Sequence, residues 1–229
     1  MVCRTIPRPR GSGADTILLM NGEETTEYFE LHSQDYHPRR LRVATAWITK
    51  ISREGDTLFD IGCGTGLVLQ TMRDAGINHL AGCDTAGSAL DIAASRVEFE
   101  AHQGSVLDAG FVGSLGAYQF VTMAAVLHHL TGPTRRASRN SAEQAIRNAL
   151  SLIQPGGRLV IVEPTYRPRW AMTAVFWAKR VLTAIFGNHR LELGRWNNLG
   201  APVVAYYSPD DVVKMVEAAG GKVIRHRDR

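Results

Sequence analysis

Residues able to move a proton stand late in the chain: adjacent His128 and His129, followed by Glu163. Imidazole accepts a proton near neutral pH, so either histidine is a candidate general base, worth about 10²- to 10⁴-fold in rate. A carboxylate such as Glu163 could orient the ring and stabilise the imidazolium that forms. A structural alternative stands beside this one, in which His129 hydrogen-bonds within its loop and His128 lines a pocket passively. A second set of residues is suited to holding a ligand. The run Thr57-Leu58-Phe59-Asp60-Ile61 leads into Gly62-Cys63-Gly64-Thr65-Gly66, with three glycines at alternate positions. Such a turn from strand to helix lets a ligand approach bare backbone. The dinucleotide fingerprint needs its third glycine one position later, where Leu67 stands, so a nicotinamide or flavin oxidoreductase is disfavoured.

Strands and helices must position these groups. Short apolar segments predict strands over residues 57–61, 79–84, 97–102, 119–123 and 158–163, the last following a Pro155-Gly156-Gly157 turn to which we assign no chemistry. Helical patterning covers 24–51, 67–75, 88–95, 141–152 and 208–219; Ser141 and Ser208 read as caps. Alternating strands and helices imply an α/β fold with a doubly wound, mostly parallel sheet and helices on both faces. In such a sheet, His128 and His129 follow the fourth strand at the carboxyl edge, where ligands bind, and Glu163 ends the fifth strand beside it. Residues 222–227, after Gly220-Gly221, read as a sixth strand.

The glycine turn, the acid of His79-Leu80-Ala81-Gly82-Cys83-Asp84, the Gln103-Gly104-Ser105-Val106 segment, the fourth strand running into His128-His129-Leu130, and the fifth strand stand in the order of a known family. Together they resemble the class I S-adenosylmethionine-dependent methyltransferases of small-molecule type, over about residues 28–227. The resemblance implies S-adenosylmethionine as methyl donor and S-adenosylhomocysteine as product, held around Asp60, Gly62, Cys63, Gly64, Gly66, Asp84, Thr85, Gly104, Ser105, Val106 and Met123. Asp84 would accept hydrogen bonds from the ribose hydroxyls, the alternative being a helix N-cap. Ser105 stands where the family often has an acid against adenine. Tyr36, between two helical segments, is a candidate wall of the donor site or an ordinary packing residue. His128, His129 and Glu163 resemble the set of small-molecule O-methyltransferases, although the His-His-Leu sequence also occurs in members that methylate carbon or nitrogen. The family's usual seventh, antiparallel strand has no sequence to form it, so the sixth is expected to shift inward, stay loose or pair with another molecule.

Length and composition set the frame. The chain has 229 residues, 45% hydrophobic and 21% charged, enough for one α/β domain over 23–229 behind a flexible arm over 1–22. Cys3, Cys63 and Cys83 are odd in number and widely spaced, which suggests neither a disulfide framework nor a metal site, and a reducing cytoplasm fits best. The formal charge is +4 with a pI near 9.1. The Asn/Asp-Pro-Pro-aromatic sequence of nucleobase amino-methyltransferases is missing after the fourth strand, and Arg135, Arg136 and Arg139 fall in what reads as a solvated loop without interleaved aromatics. Nucleic acid is therefore a disfavoured partner.

Residues 164–208 are long for a connection and read as a lid or acceptor-binding insertion. Within them 169–186 form an apolar helix, too short and too interrupted by Lys179-Arg180 to span a bilayer. Three roles stand for it: a cover over an apolar acceptor, a peripheral membrane contact, or a packing or homodimer surface. The expected reaction is methyl transfer to a small, partly apolar acceptor, through oxygen with a histidine base, or through carbon or nitrogen without one. A noncatalytic donor-binding module is the reading from another class.

Overall fold

Leu58 and Phe59, and likewise Phe120 and Val121, are adjacent residues whose side chains enter opposite cores, as the two-residue period of a strand requires. Strands buried on both faces need helices on both, and the computed structural model, which describes residues 38–186 and 203–226, supplies them. Among the described residues five strands form one all-parallel sheet: β1 (Thr57–Ile61), β2 (His79–Asp84), β3 (Glu100–Gln103), β4 (Tyr118–Ala124) and β5 (Ile153–Val162), in the order β3-β2-β1-β4-β5. β1 lies between β2 and β4, with Leu58 opposite Leu80 on one side and opposite Phe120 on the other. Strand order reverses at β1, so the crevice outside the carboxyl ends of β1 and β4 is where such a sheet binds ligands.

The helices are α1 (Pro38–Ile51), α2 (Leu67–Asp74), α3 (Gly87–Arg96), α4 (Ala109–Gly113), α5 (Arg135–Ser151), α6 (Arg169–Phe186) and α7 (Pro209–Ala218). Ile48 of α1, Leu69 and Met72 of α2 and Leu90 of α3 cover one face of the sheet. Ile146 of α5, Phe176 of α6 and Met215 of α7 are in the cluster on the other. No helix among the described residues is long and apolar enough to cross a membrane.

Five sequence expectations change. The arginines at 135–139 are not in a loop: α5 starts at Arg135, capped by Thr134, whose hydroxyl accepts from Ala137 N at 3.1 Å. Ser141 does not cap, because its hydroxyl turns back to the Ala137 carbonyl inside the helix. β5 starts at Ile153, so the Pro155-Gly156-Gly157 bend falls within it, where the register against β4 slips. The third strand starts at Glu100 rather than Val97. The predicted sixth strand does not form over Lys222–His226; Ile224 is 60% exposed, so ordering this segment would bury too little apolar surface to offset its entropy. The Ser208 expectation holds: its hydroxyl accepts from Asp211 N, and the Asp211 carboxylate accepts from Ser208 N, a reciprocal capping box.

Candidate active site

The turn after β1 is built from residues in the left-handed region: Gly62 at φ 66°, Gly64 at 51° and Gly66 at 79°. Two of the three also leave no room for a side chain. A Cβ on Gly62 would stand 2.8 Å from Val126 Cγ2, and one on Gly66 would stand 2.9 Å from Ala93 Cβ. Nothing lies within 4 Å of a Cβ on Gly64, so its backbone faces open space. Asp84, at the tip of the neighbouring β2, ties this turn down: one carboxylate oxygen accepts from Gly64 N at 2.9 Å and the other from Ala86 N at 3.0 Å. Each oxygen retains a lone pair, so the same carboxylate can also accept from a diol.

Around this cradle, Gly104 N donates to the Asp84 carbonyl at 3.0 Å. That brings Gly104 and Ser105 to the edge of the turn, and a Cβ on Gly104 would collide with the Phe111 ring. Exposed Thr85 offers its carbonyl to Gln103 Nε2 at 3.3 Å. Val106 is buried, its carbonyl taken by Asn148 Nδ2 at 2.6 Å. Met123, at 0% exposure, belongs to the core beneath the sheet edge, and Cys63 presents backbone rather than side chain to the turn. Tyr36 lies outside the described residues.

Asp60 faces inward. At 1% exposure its carboxyl accepts from Thr122 Oγ1 at 2.6 Å, bracing β1 against β4. Burial pushes its pKa up to about 7, against the opposing Thr122 hydrogen bond and with a smaller contribution from Asp84. Burial likewise holds both sheet cysteines as thiols, pushing Cys83 up to about 12 and Cys63 higher still, with nearby Asp60 adding to each. Neither is a nucleophile.

Beyond β4 the chain turns sharply. Ala125 adopts φ 59° without being a glycine and donates its N–H to Val162 O at 2.7 Å, and a single 3₁₀ turn follows over Leu127–His129. Strain of this kind, of order 1 kcal/mol or more, persists only where the surroundings impose it. Glu163, just past β5, holds the turn with both oxygens: Oε1 accepts from Leu127 N at 2.6 Å and Oε2 lies 2.8 Å from His128 Nδ1. The carboxylate favours the tautomer with hydrogen on Nδ1, which leaves the Nε2 lone pair to receive a proton.

His129 stands 4.0 Å from His128 between ring centroids. Its pKa falls to about 3, through burial first and then the neighbouring charges of His128 and Lys179, so it is a weak proton acceptor. His128 also stacks on Tyr206 at 5.4 Å, and Tyr206 meets Tyr166 edge-on at 4.7 Å. The histidines, Glu163 and the glycine turn are thus brought together, Val126 touching the Gly62 corner. Tyr166, Tyr206 and Lys179 were not legible as site residues, since no motif marks them.

This arrangement of glycine cradle, acid on the second strand and histidine turn accompanies a family match. The methyltransferase-domain family model matches residues 33–226. The chain belongs to the class I S-adenosylmethionine-dependent methyltransferases. The methyltransferase shares its fold with a chain of the Haloferax volcanii complex between the Trm112 methyltransferase activator and a methyltransferase, at TM-score 0.60 and 16% identity over 87% of this chain and 75% of that one. It also resembles YcgJ from Bacillus subtilis, at TM-score 0.56 and 18% identity over 80% and 68% of the two chains. A third likeness is to magnesium protoporphyrin IX methyltransferase from Synechocystis with bound S-adenosylmethionine, at TM-score 0.54 and 14% identity over 94% and 78%. At these identities the likeness is one of fold. No curated protein sequence matches the chain.

The residues present fit the donor that the family uses. Open backbone at Gly64 and spare carboxylate lone pairs at Asp84 are what a nucleoside with a ribose diol needs.

Proposed function

We propose that this methyltransferase methylates a hydroxyl of a small, partly apolar acceptor, with His128 as general base and Glu163 as its positioning residue. The observation that carries the reading is the 2.8 Å contact between His128 Nδ1 and the buried Glu163 carboxylate at the carboxyl edge of β4 and β5. In this reading the glycine turn, Asp84 with Thr85, and the Gly104-Ser105 edge hold the donor, while Asp60, Met123 and Val106 support them from beneath. When bound, S-adenosylmethionine supplies an electrophilic methyl group on a sulfonium. The protein's part is to align the acceptor oxygen, exclude water and take the proton. The oxygen–carbon bond forms as the carbon–sulfur bond breaks, and the hydroxyl proton passes to His128 Nε2, where Glu163 stabilises the imidazolium. The acceptor-binding insertion of this reading is 164–208, of which 187–202 lie outside the described residues, with Tyr166 and Tyr206 as its aromatic approach to His128.

A second reading draws on the burial of His128, which is only 6% exposed. In it the His128–Glu163 pair is a clasp that shapes the turn, and the acceptor is a carbon or nitrogen that needs no protein base.

His128→Ala and Glu163→Gln, assayed with labelled S-adenosylmethionine, separate the two. Under the first reading His128→Ala lowers kcat about 10²- to 10⁴-fold while affinity for S-adenosylhomocysteine, measured calorimetrically, is kept. Glu163→Gln then lowers kcat by less than His128→Ala does, because the amide can still hold the ring but carries no charge to stabilise the imidazolium. Full turnover in His128→Ala would establish the second reading. Donor binding is tested separately: Asp84→Ala should weaken it by about 10- to 150-fold, the loss of hydrogen bonds to a charged acceptor.

A further inference from the structure

The cations of α6 and α5 are not treated alike. Arg139 pairs with Glu143 and Asp211 at 2.8 and 3.3 Å, Arg169 with Asp211 at 3.1 Å, and Arg167 with Asp210 at 3.7 Å. Among the described residues, Lys179 and Arg180 form no ion pair with a carboxylate, and Arg135 feels Asp211 only at longer range than a direct ion pair. None of the three is a freely solvated surface group. Phe176 is fully buried, so Lys179 and Arg180, three and four residues on, share the helix face turned to the core. Both are partly buried, and burial lowers the Lys179 pKa.

Arg180 donates to the Gly132 carbonyl at 3.2 Å, which places this turn of α6 against the loop leaving His129. Arg135 packs on two rings, 5.8 Å from the Phe176 centroid and 5.3 Å from that of Tyr207, and its Nη1 is buried without a hydrogen-bond partner. The Tyr207 hydroxyl is also buried and unpartnered, in a residue 4% exposed. Tyr207 adjoins Tyr206, which stacks on His128. Lys179 is close enough to His129 for its charge to act on that ring, and Arg180 is bonded to the loop that follows, so these α6 cations lie beside the histidine turn, while Arg135 shares a cluster with Tyr207 and Asp211. Leaving such groups partly desolvated is costly unless a ligand completes them.

We propose that the methyl acceptor carries an acidic group, a carboxylate or phosphate, neutralised by Lys179 with Arg135 in support. This rests on the reading that the acceptor approaches His128, and it narrows that acceptor to an anionic molecule with an apolar, ring-bearing body. The acid end meets the cations while the body lies along Tyr166 and Tyr206.

Two arms keep failure of this inference apart from failure of the hydroxyl reading. In the first, benzoate and inorganic phosphate are titrated calorimetrically into the protein saturated with S-adenosylhomocysteine. At least one should bind, with affinity reduced about tenfold or more in Lys179→Met and retained in Lys179→Arg, whereas benzamide should not bind. Absence of both anions from the wild-type protein, or equal binding in Lys179→Met, would overturn the acidic subsite whatever the assay shows. In the second, labelled methyl transfer is measured on matched acceptors, hydroxybenzoates against hydroxybenzamides and aminobenzoates against aminobenzamides. The acid of a pair should be used at least about tenfold better in kcat/KM, with the difference erased in Lys179→Met through KM. Preference for the amides would overturn the proposal. Transfer to amino but not hydroxyl acids would retain the subsite and remove the hydroxyl reading.

Discussion

Asp60 lies in the interior of the sheet against Thr122, so its proton is coupled to folding. Its folded pKa, about 7, is above the ordinary 3.8, and the folded state therefore binds the proton more tightly than the unfolded chain. Between those two values folding stability falls as pH rises, by up to about 4 kcal/mol in total. Asp60→Asn keeps an acceptor for Thr122 and cannot ionise. Urea unfolding should show that the mutant gains stability relative to wild type between pH 4 and pH 7, with no further gain above. His129 has the opposite sign: depressed to about 3, it contributes stability that is full above its ordinary 6.5 and is lost as pH falls toward 3. His129→Asn should flatten that acid loss in the same measurement. Neither effect was legible from the sequence. Asp60 and His129 were both visible as chemical residues, but burial, the cause of each shift, is a property of packing.

At the scale of elements, the strand-to-helix turn after β1 was fully readable, because glycine at three alternate positions has a backbone cause and the structure gives all three positive φ. Gly66→Ala should lower stability by about 2–3 kcal/mol in thermal unfolding, combining a forbidden φ with a 2.9 Å contact to Ala93. The helix following β4 was misplaced by six residues, since Ser141 resembles a cap in sequence and only the folded chain shows its hydroxyl spent on Ala137. β5 was entered late for a related reason: proline and glycine mark a bend, and a bend within a strand looks in sequence like one before it. α6 was found with nearly correct bounds, its apolar run being long, but which face it buries was not readable. The structure settles that on Phe176, so Phe176→Ala should cost about 3–5 kcal/mol, whereas Trp170→Ser, at a side chain 74% exposed, should change stability by no more than about 0.5 kcal/mol. Both are measurable by chemical denaturation.

Across the whole molecule, the five strands pair in an order that differs from their order along the chain. The central strand pairs with β2 after a short crossover, but its other edge meets β4, with Leu58 opposite Phe120 and the Asp60–Thr122 bond spanning 62 residues. On a ribosome adding about 5–20 residues per second, that far edge waits roughly 3–12 s for its neighbour to be made. During this interval Leu58 and Phe59, buried on opposite faces of the finished sheet, have only half their surroundings. The nascent chain is then a half-sheet with an open inner edge, the form most exposed to mispairing and to capture by chaperones.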